Sequence, residues 1–256
     1  IPNPQSPIPN PQSPIFKYQI IIYSQNKFII FIEKMKKKYG ILGTGNVAQT
    51  IGSKLIQLGH EVKLGTRNPK SEKVLTWVKN NGSNASVGTF KEAASFAPII
   101  FNCVHGINSI EVIESSGKEN FKNKILIDLA NPYNYVNGHI ILDPKYSGST
   151  SLGEEIQKFL PETKCVKTLN YLGFNLMTNP GQLNEAITGF YCGNDNGAKE
   201  IVNNILHDFG WNDTLDIGDI SMSKYTEMLG AFWVPIYGKV GNMNWGLKLV
   251  RDLKKK

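Results

Sequence analysis

From residue 39 onward the apolar positions alternate between short unbroken runs and stretches of helical spacing. Residues 39–42 form the first run. Val47, Ile51, Leu55 and Leu58 then recur every three or four residues, which predicts a helix stopped by Gly59. The same reading predicts strands at 62–64 and 86–88, and helices at 71–80, 90–96 and 108–116. The runs I99-IFNCV104 and I125-LIDLA130 are continuous, as in parallel strands covered on both faces. Beyond them, Ser151 and Glu154 open a helix at 151–160 as a capping box. Strands are expected at 163–170 and 187–193, and helices at 198–209 and 220–237. This alternation predicts an α/β fold, a doubly wound Rossmann-type parallel sheet with a small C-terminal α+β part packed on it. The expected division is a dinucleotide-binding domain over 37–148 and a smaller acceptor-side domain over 149–256, with no Pro/Gly/Ser-rich linker between them.

The N-terminal part does not share this pattern. Its first fourteen residues repeat IPNPQSP twice, too proline-rich for a helix or an inner strand. Residues 15–33 are apolar but interrupted by Lys17, Gln19, Ser24, Gln25, Asn26 and Lys27, so no run reaches the roughly 20 residues that a bilayer span needs. Residues 1–36 are therefore expected to be a disordered or spurious extension, with folded structure beginning after Met35.

The net charge of +7 resides in the ends of the chain. Six lysines face one acid (Glu33) in residues 1–38, and five basic residues face Asp252 in residues 248–256. Residues 39–247 are left with 17 basic and 19 acidic side chains. A near-neutral body argues against nucleic-acid or membrane-surface binding. Cys103, Cys165 and Cys192 are odd in number and widely spaced, and the four histidines are scattered. Reduced thiols in a cytoplasmic protein, and no metal site, are the expectation.

The chemistry concentrates in GILGTGNVA at 40–48. Gly43 permits a sharp turn out of the strand, Gly45 leaves room for a pyrophosphate to approach the backbone, and Ala48 lets the helix lie close to the sheet. The helix N-terminus offers free N–H groups, here from Asn46 and Val47 beside Thr44. A dinucleotide site specific for NAD carries a carboxylate at the end of the second strand, but this strand ends Leu64-Gly65-Thr66-Arg67-Asn68. Thr66, Arg67 and Asn68, with Lys70 or Lys73 nearby, suit a 2′-phosphate, so the expected cofactor is NADP(H).

In combination, LGTR at 64–67, DLANPY at 128–133, SLGEE at 151–155, VKTLN at 166–170 and AFWVPI at 231–236 resemble the deazaflavin-dependent NADP oxidoreductase family. They are also similar to the cytosolic domain of the six-transmembrane epithelial antigen metalloreductases and, more distantly, to the N-terminal domain of pyrroline-5-carboxylate reductases. The resemblance covers roughly residues 37–250. It implies that Thr44, Asn46 and Val47 meet the pyrophosphate, and Thr66 and Arg67 the 2′-phosphate. Cys103, Val104 and His105 would lie along the ribose and diphosphate, and Asn131 and Pro132 beside the nicotinamide carboxamide. It further implies hydride transfer between stacked rings, with a flavin or deazaflavin as acceptor. The chain departs from the deazaflavin enzymes at CVHGINS (103–109) and DLANPY, positions that shape the acceptor pocket.

Other candidate groups carry weaker signals. A Cys103–His105 dyad fits strand spacing, but cysteine in a central strand is usually core. Asp128 suits a hydrogen bond to the following turn. His105 is a candidate for a proton donor, and Tyr171 and Tyr133 suit either the wall of an acceptor pocket or proton donation, with packing as the alternative. Phe232, Trp233 and Tyr237 suit helix packing, with a flavin platform as the alternative. Trp245 and the basic end suit a frayed tail, with a homodimer contact as the alternative. The leading expectation is an NADPH-dependent oxidoreductase acting on a small flat acceptor. A non-catalytic NADP(H) sensor and an imine or carbonyl reductase are the other two readings.

Overall fold

The computed structural model describes residues 36–252 in full and the backbone of residues 17–23 and 27–33. The chain divides into two units, residues 1–37 and residues 38–256. In the first, β1 (Lys17–Tyr23) and β2 (Lys27–Glu33) pair as an antiparallel hairpin. The extension expected over residues 1–36 otherwise falls outside the described residues.

The second unit is built on one eight-stranded sheet. Six parallel strands come first: β3 (Lys38–Leu42), β4 (Glu61–Gly65), β5 (Ala85–Gly88), β6 (Ile99–Asn102), β7 (Ile125–Asp128) and β10 (Lys164–Thr168). They lie in the spatial order β5-β4-β3-β6-β7-β10, so the direction of winding reverses between β3 and β6. That reversal is where doubly wound folds open a ligand crevice. β11 (Thr188–Gly193) adds antiparallel to β10, and β12 (Asp213–Asp216) pairs parallel with β11. The sheet thus runs without a break across residues 148 and 149. The C-terminal segment contributes three of its strands as well as helices.

Alternation along each inner strand divides the core. Ile41, Phe101, Ile127 and Val166 point to one face, and their neighbours Leu42, Ile100, Leu126 and Cys165 to the other. The first face is covered by α1 (Asn46–Gln57), α2 (Glu72–Asn81), α6 (Phe174–Met177) and α7 (Asn196–Asp208). The second is covered by α3 (Phe90–Phe96), α4 (Ser109–Ser115) and α5 (Leu152–Phe159).

Three features lay outside the expectation. A hairpin of β8 (Tyr133–Val136) and β9 (His139–Leu142) follows β7, turning through Asn137 and Gly138, both at positive φ. The last helix, α8 (Ser223–Val240), begins after a short 3₁₀ turn at Ile220–Met222, so it starts and ends three residues later than expected. The tail after it is not frayed over its described residues. Leu247 accepts a hydrogen bond from the Thr188 N–H, Arg251 pairs with Asp213 at 2.6 Å, and Trp245 stacks on Trp233. Its amphipathic sequence packs back along the start of β11. Among the described residues, no helix is long and apolar enough to cross a membrane.

Candidate cofactor site

The site grows from the carboxyl ends of β3, β4, β6 and β7. Gly43 leaves β3 at φ 114°, and a Cβ there would stand 2.8 Å from the Cys103 carbonyl oxygen, so this turn demands glycine. Its N–H donates to the Gly65 carbonyl at 2.9 Å, and the Cys103 N–H donates to Leu42 at 2.9 Å, which ties the ends of β3, β4 and β6 together. Gly45 differs: a Cβ at this position would meet nothing within 4 Å. The space above it is open, as close approach of a pyrophosphate to the backbone requires.

α1 starts at Asn46 with no side-chain cap and no acid in its first turn. The Gln49 N–H to Gly45 carbonyl bond is its first helical bond, so the N–H groups of the first turn are left to an external acceptor. Their partial positive charge suits an anion. Ala48 is fully buried against the sheet. Residues 43–48 therefore fit a dinucleotide's phosphates.

Beyond β4, the loop is shaped by its own polar groups. The Asn68 N–H donates to Thr66 Oγ1 and the Lys70 N–H to Asn68 Oδ1. Thr66 is half-buried, while Arg67, Asn68 and Lys73 are exposed. Among the described residues, no carboxylate forms an ion pair with Arg67, whose guanidinium fork is free for a phosphate.

After β6, Val104 lies against Gly43, and His105 is exposed at the rim. The next residue, Gly106, donates its N–H to the Asn131 carbonyl at 3.0 Å, joining this loop to the one after β7. Cys103, Val104, His105, Asn131 and Pro132 thus share one rim with the glycine loop. The Asn131 side chain is already engaged. Its Nδ2 donates to the Asn170 carbonyl, and its Oδ1 accepts from Asn170 Nδ2 at 2.8 Å. One N–H of Nδ2 and one lone pair of Oδ1 are therefore already used.

Neither Tyr171 nor Cys103 is poised for proton transfer. The Tyr171 hydroxyl is buried, donates to the Thr188 carbonyl at 3.1 Å and accepts from the Phe190 N–H at 2.6 Å. Burial also raises its pKa. Tyr171→Phe is expected to cost about 1–3 kcal/mol of stability, because it strands a buried backbone donor, and to leave turnover per folded molecule unchanged. Denaturant melts beside a coupled NADPH assay would check both parts. The Cys103 thiol is held protonated by burial and then by Asp128, and among the described residues no hydrogen bond joins it to His105. Asp128 accepts from the Ala130 N–H at 3.1 Å, capping the turn that follows its strand. Trp233 stacks on both Tyr237 and Trp245 at centroid distances of 5.2 and 5.6 Å, so it joins α8 to the tail and is not a free ring platform.

The sequence reading missed Lys167, Glu227 and Asn170. Lys167 and Glu227 are fully buried and Asn170 nearly so, all behind the Asn131 loop. A lysine inside the apolar run of a predicted strand was the available signal, since lysine is almost never buried unless paired.

Comparison with known proteins gives the family. Residues 38–132 match the family described as NADP oxidoreductase, coenzyme F420-dependent. A protein from Arthrobacter sp. FB24, provisionally assigned as an F420-dependent NADP reductase, is 35% identical. The alignment covers 85% of this chain and all of that one, at a TM-score of 0.79. The chain belongs to the coenzyme F420-dependent NADP oxidoreductase family. That family is described as one of NADP oxidoreductases.

Rat metalloreductase STEAP3 is 26% identical over 205 residues, which cover 80% of this chain but only 38% of the metalloreductase. A reductive aminase from Aspergillus terreus, solved with NADPH and ethyl-5-oxohexanoate, shares the fold at 14% identity and a TM-score of 0.57. That match covers 81% of this chain and 63% of the aminase.

Proposed function

We propose that this family member transfers hydride between NADP(H) and a small flat acceptor of the flavin or deazaflavin class. The supporting observation is the continuous rim from the open space above Gly45 to Asn131 and Pro132, with Arg67, unpaired among the described residues, at one end. The first turn of α1 would hold the pyrophosphate, with Thr66, Arg67, Asn68 and Lys73 around the 2′-phosphate. The backbone of Cys103, Val104 and His105 would flank the ribose, and Pro132 the nicotinamide.

The bound coenzyme would supply the hydride itself. The chain's own part is alignment, which contributes about 7–11 kcal/mol to lowering a barrier when two groups are held in reacting geometry. That fits a rim from which the Tyr171 hydroxyl is withdrawn and at which the Cys103 thiol stays protonated. His105, exposed at the rim, keeps an imine or carbonyl substrate as the second reading, because reducing such a bond needs a proton as well as a hydride.

The test is loss of NADPH absorbance with the purified chain against flavin, deazaflavin, quinone, ferric chelate and cyclic imine, with NADH alongside. Turnover of flavin or deazaflavin with NADPH preferred over NADH is expected. Turnover of the cyclic imine alone, abolished in His105→Gln, would replace this reading with the second. Tight NADPH binding with no turnover across the panel would leave the sensor reading in its place.

A further inference from the structure

One row of the sheet is polar where its neighbours are apolar. Asn102, Asp128 and Lys167 stand side by side on β6, β7 and β10, and all are buried. Lys167 Nζ lies 2.7 Å from Asp128 Oδ2 and 2.9 Å from Glu227 Oε1, and it also donates to the Ala130 carbonyl. These three bonds use all three of its protons. Asp128 Oδ1 accepts from Asn102 Nδ2 at 2.8 Å and from the Ala130 N–H. Glu227 reaches from α8 to the N-terminus of α5, accepting from the Leu152 and Gly153 N–H groups at 3.0 and 3.1 Å.

Burial by itself would lower the lysine's pKa, but Asp128 and Glu227 outweigh it. Burial raises that of Glu227, against the attraction of Lys167. Among the described residues, the hydrogen-bond partners of the two carboxylates are donors. The arrangement is therefore two anions around one cation, a buried net charge of minus one. Well-packed apolar residues would fill such a volume without desolvation cost, so stability alone does not account for it.

The cluster grips the segment that carries Asn131 and Pro132. Ala130 is held at its N–H by Asp128 and at its carbonyl by Lys167. Asn131 is held by Asn170, which Leu169 aims by adopting φ 60°, a strained conformation for a buried leucine. One turn beyond Glu227, Gly230 closes on the same segment: a Cβ there would stand 2.5 Å from the Tyr133 hydroxyl.

We propose that the Asp128–Lys167–Glu227 cluster is the positioning centre of the nicotinamide half of the site, locking residues 129–132 and holding one net negative charge behind them. The inference rests on the proposed placement of the nicotinamide beside Asn131 and Pro132. Oxidation leaves a positive charge on that ring, and a buried negative charge nearby attracts the oxidised ring more than the neutral reduced one. The site therefore favours NADP⁺ relative to NADPH.

The experiment measures dissociation constants for NADP⁺, NADPH and 2′,5′-ADP, the last carrying only the adenosine half, by titration calorimetry. Glu227→Gln, of equal size but neutral, is expected to weaken NADP⁺ about tenfold more than NADPH and to leave 2′,5′-ADP unchanged. Asn170→Ala, outside the charged cluster, is expected to weaken both coenzymes alike by several-fold and again to spare 2′,5′-ADP. Should Glu227→Gln not fold, Asp128→Asn makes the same charge change, and Asn170→Ala tests the locking independently. Equal losses for all three ligands, or no change in any, would overturn the proposal. Failure of the unaltered protein to bind 2′,5′-ADP would instead remove the cofactor-site reading on which it stands.

Discussion

Lys167→Met is expected to lose about 3–5 kcal/mol of folding stability, the usual cost of removing one partner from a buried ion cluster. The lysine is fully buried and within 3 Å of two carboxylates that are themselves almost completely excluded from water. Methionine matches its length but offers no charge and no donor, so Asp128 and Glu227 would be left as uncompensated anions and the Ala130 carbonyl as an unpaired acceptor. A domain of this kind is stabilised by about 5–15 kcal/mol in total, so the loss is a large share of the whole. Urea denaturation should show a lower midpoint with an unchanged slope. Lys122→Met is the control. Its pair with Glu162 spans 2.8 Å, but both side chains are more than half exposed, and the midpoint should barely move. If the two variants melt alike, the cluster contributes no more than a surface pair does. A Lys167→Met/Glu227→Leu double substitution should regain part of the loss, because it removes one of the stranded charges.

The difference between these two lysines is also a measure of what a sequence can show. Periodicity located β3, α1, β6 and β7 to within about two residues, because each inner strand is apolar on both faces and α1 presents one apolar stripe. The conformation of the glycine loop was legible because it is local: Gly43, Gly45 and Ala48 lie within one turn of each other. The loop from Thr66 to Asn68 was legible for the same reason. Lys167 was not, since its partners lie 39 and 60 residues away and meet it only through strand register and the return of α8. The engagement of the Tyr171 hydroxyl was hidden for the same reason. The direction of its hydroxyl is set by β11, an antiparallel strand whose pairing no local pattern announces. The β8–β9 hairpin did have a signature, Asn137-Gly138 between apolar positions, the commonest two-residue turn for joining antiparallel strands.

Arg67→Ala is expected to weaken NADPH binding roughly 30-fold while changing NADH binding less than about threefold. The basis is the contrast between a 2′-phosphate, close to doubly charged, and a neutral 2′-hydroxyl. Hydrogen bonds to a charged partner contribute about 1.5–3 kcal/mol, and each 1.4 kcal/mol is a factor of ten. Solvent exposure of Arg67 trims that contribution through screening, while the half-buried Thr66 and exposed Lys70 and Lys73 retain some of the phosphate's attraction. The loop is shaped by Thr66 and Asn68 rather than by Arg67, so its backbone should survive the substitution. Arg67→Lys should fall between, keeping the charge but losing the planar fork that engages two phosphate oxygens at once. The gap between NADPH and NADH should also narrow as salt is raised in the unaltered protein, and do so less in Arg67→Ala. Titrating both coenzymes at two ionic strengths reads all of this in one series. Equal losses for NADPH and NADH would mean that the 2′-phosphate is held somewhere other than this loop, and the absence of a carboxylate at the end of β4 would then need a different explanation.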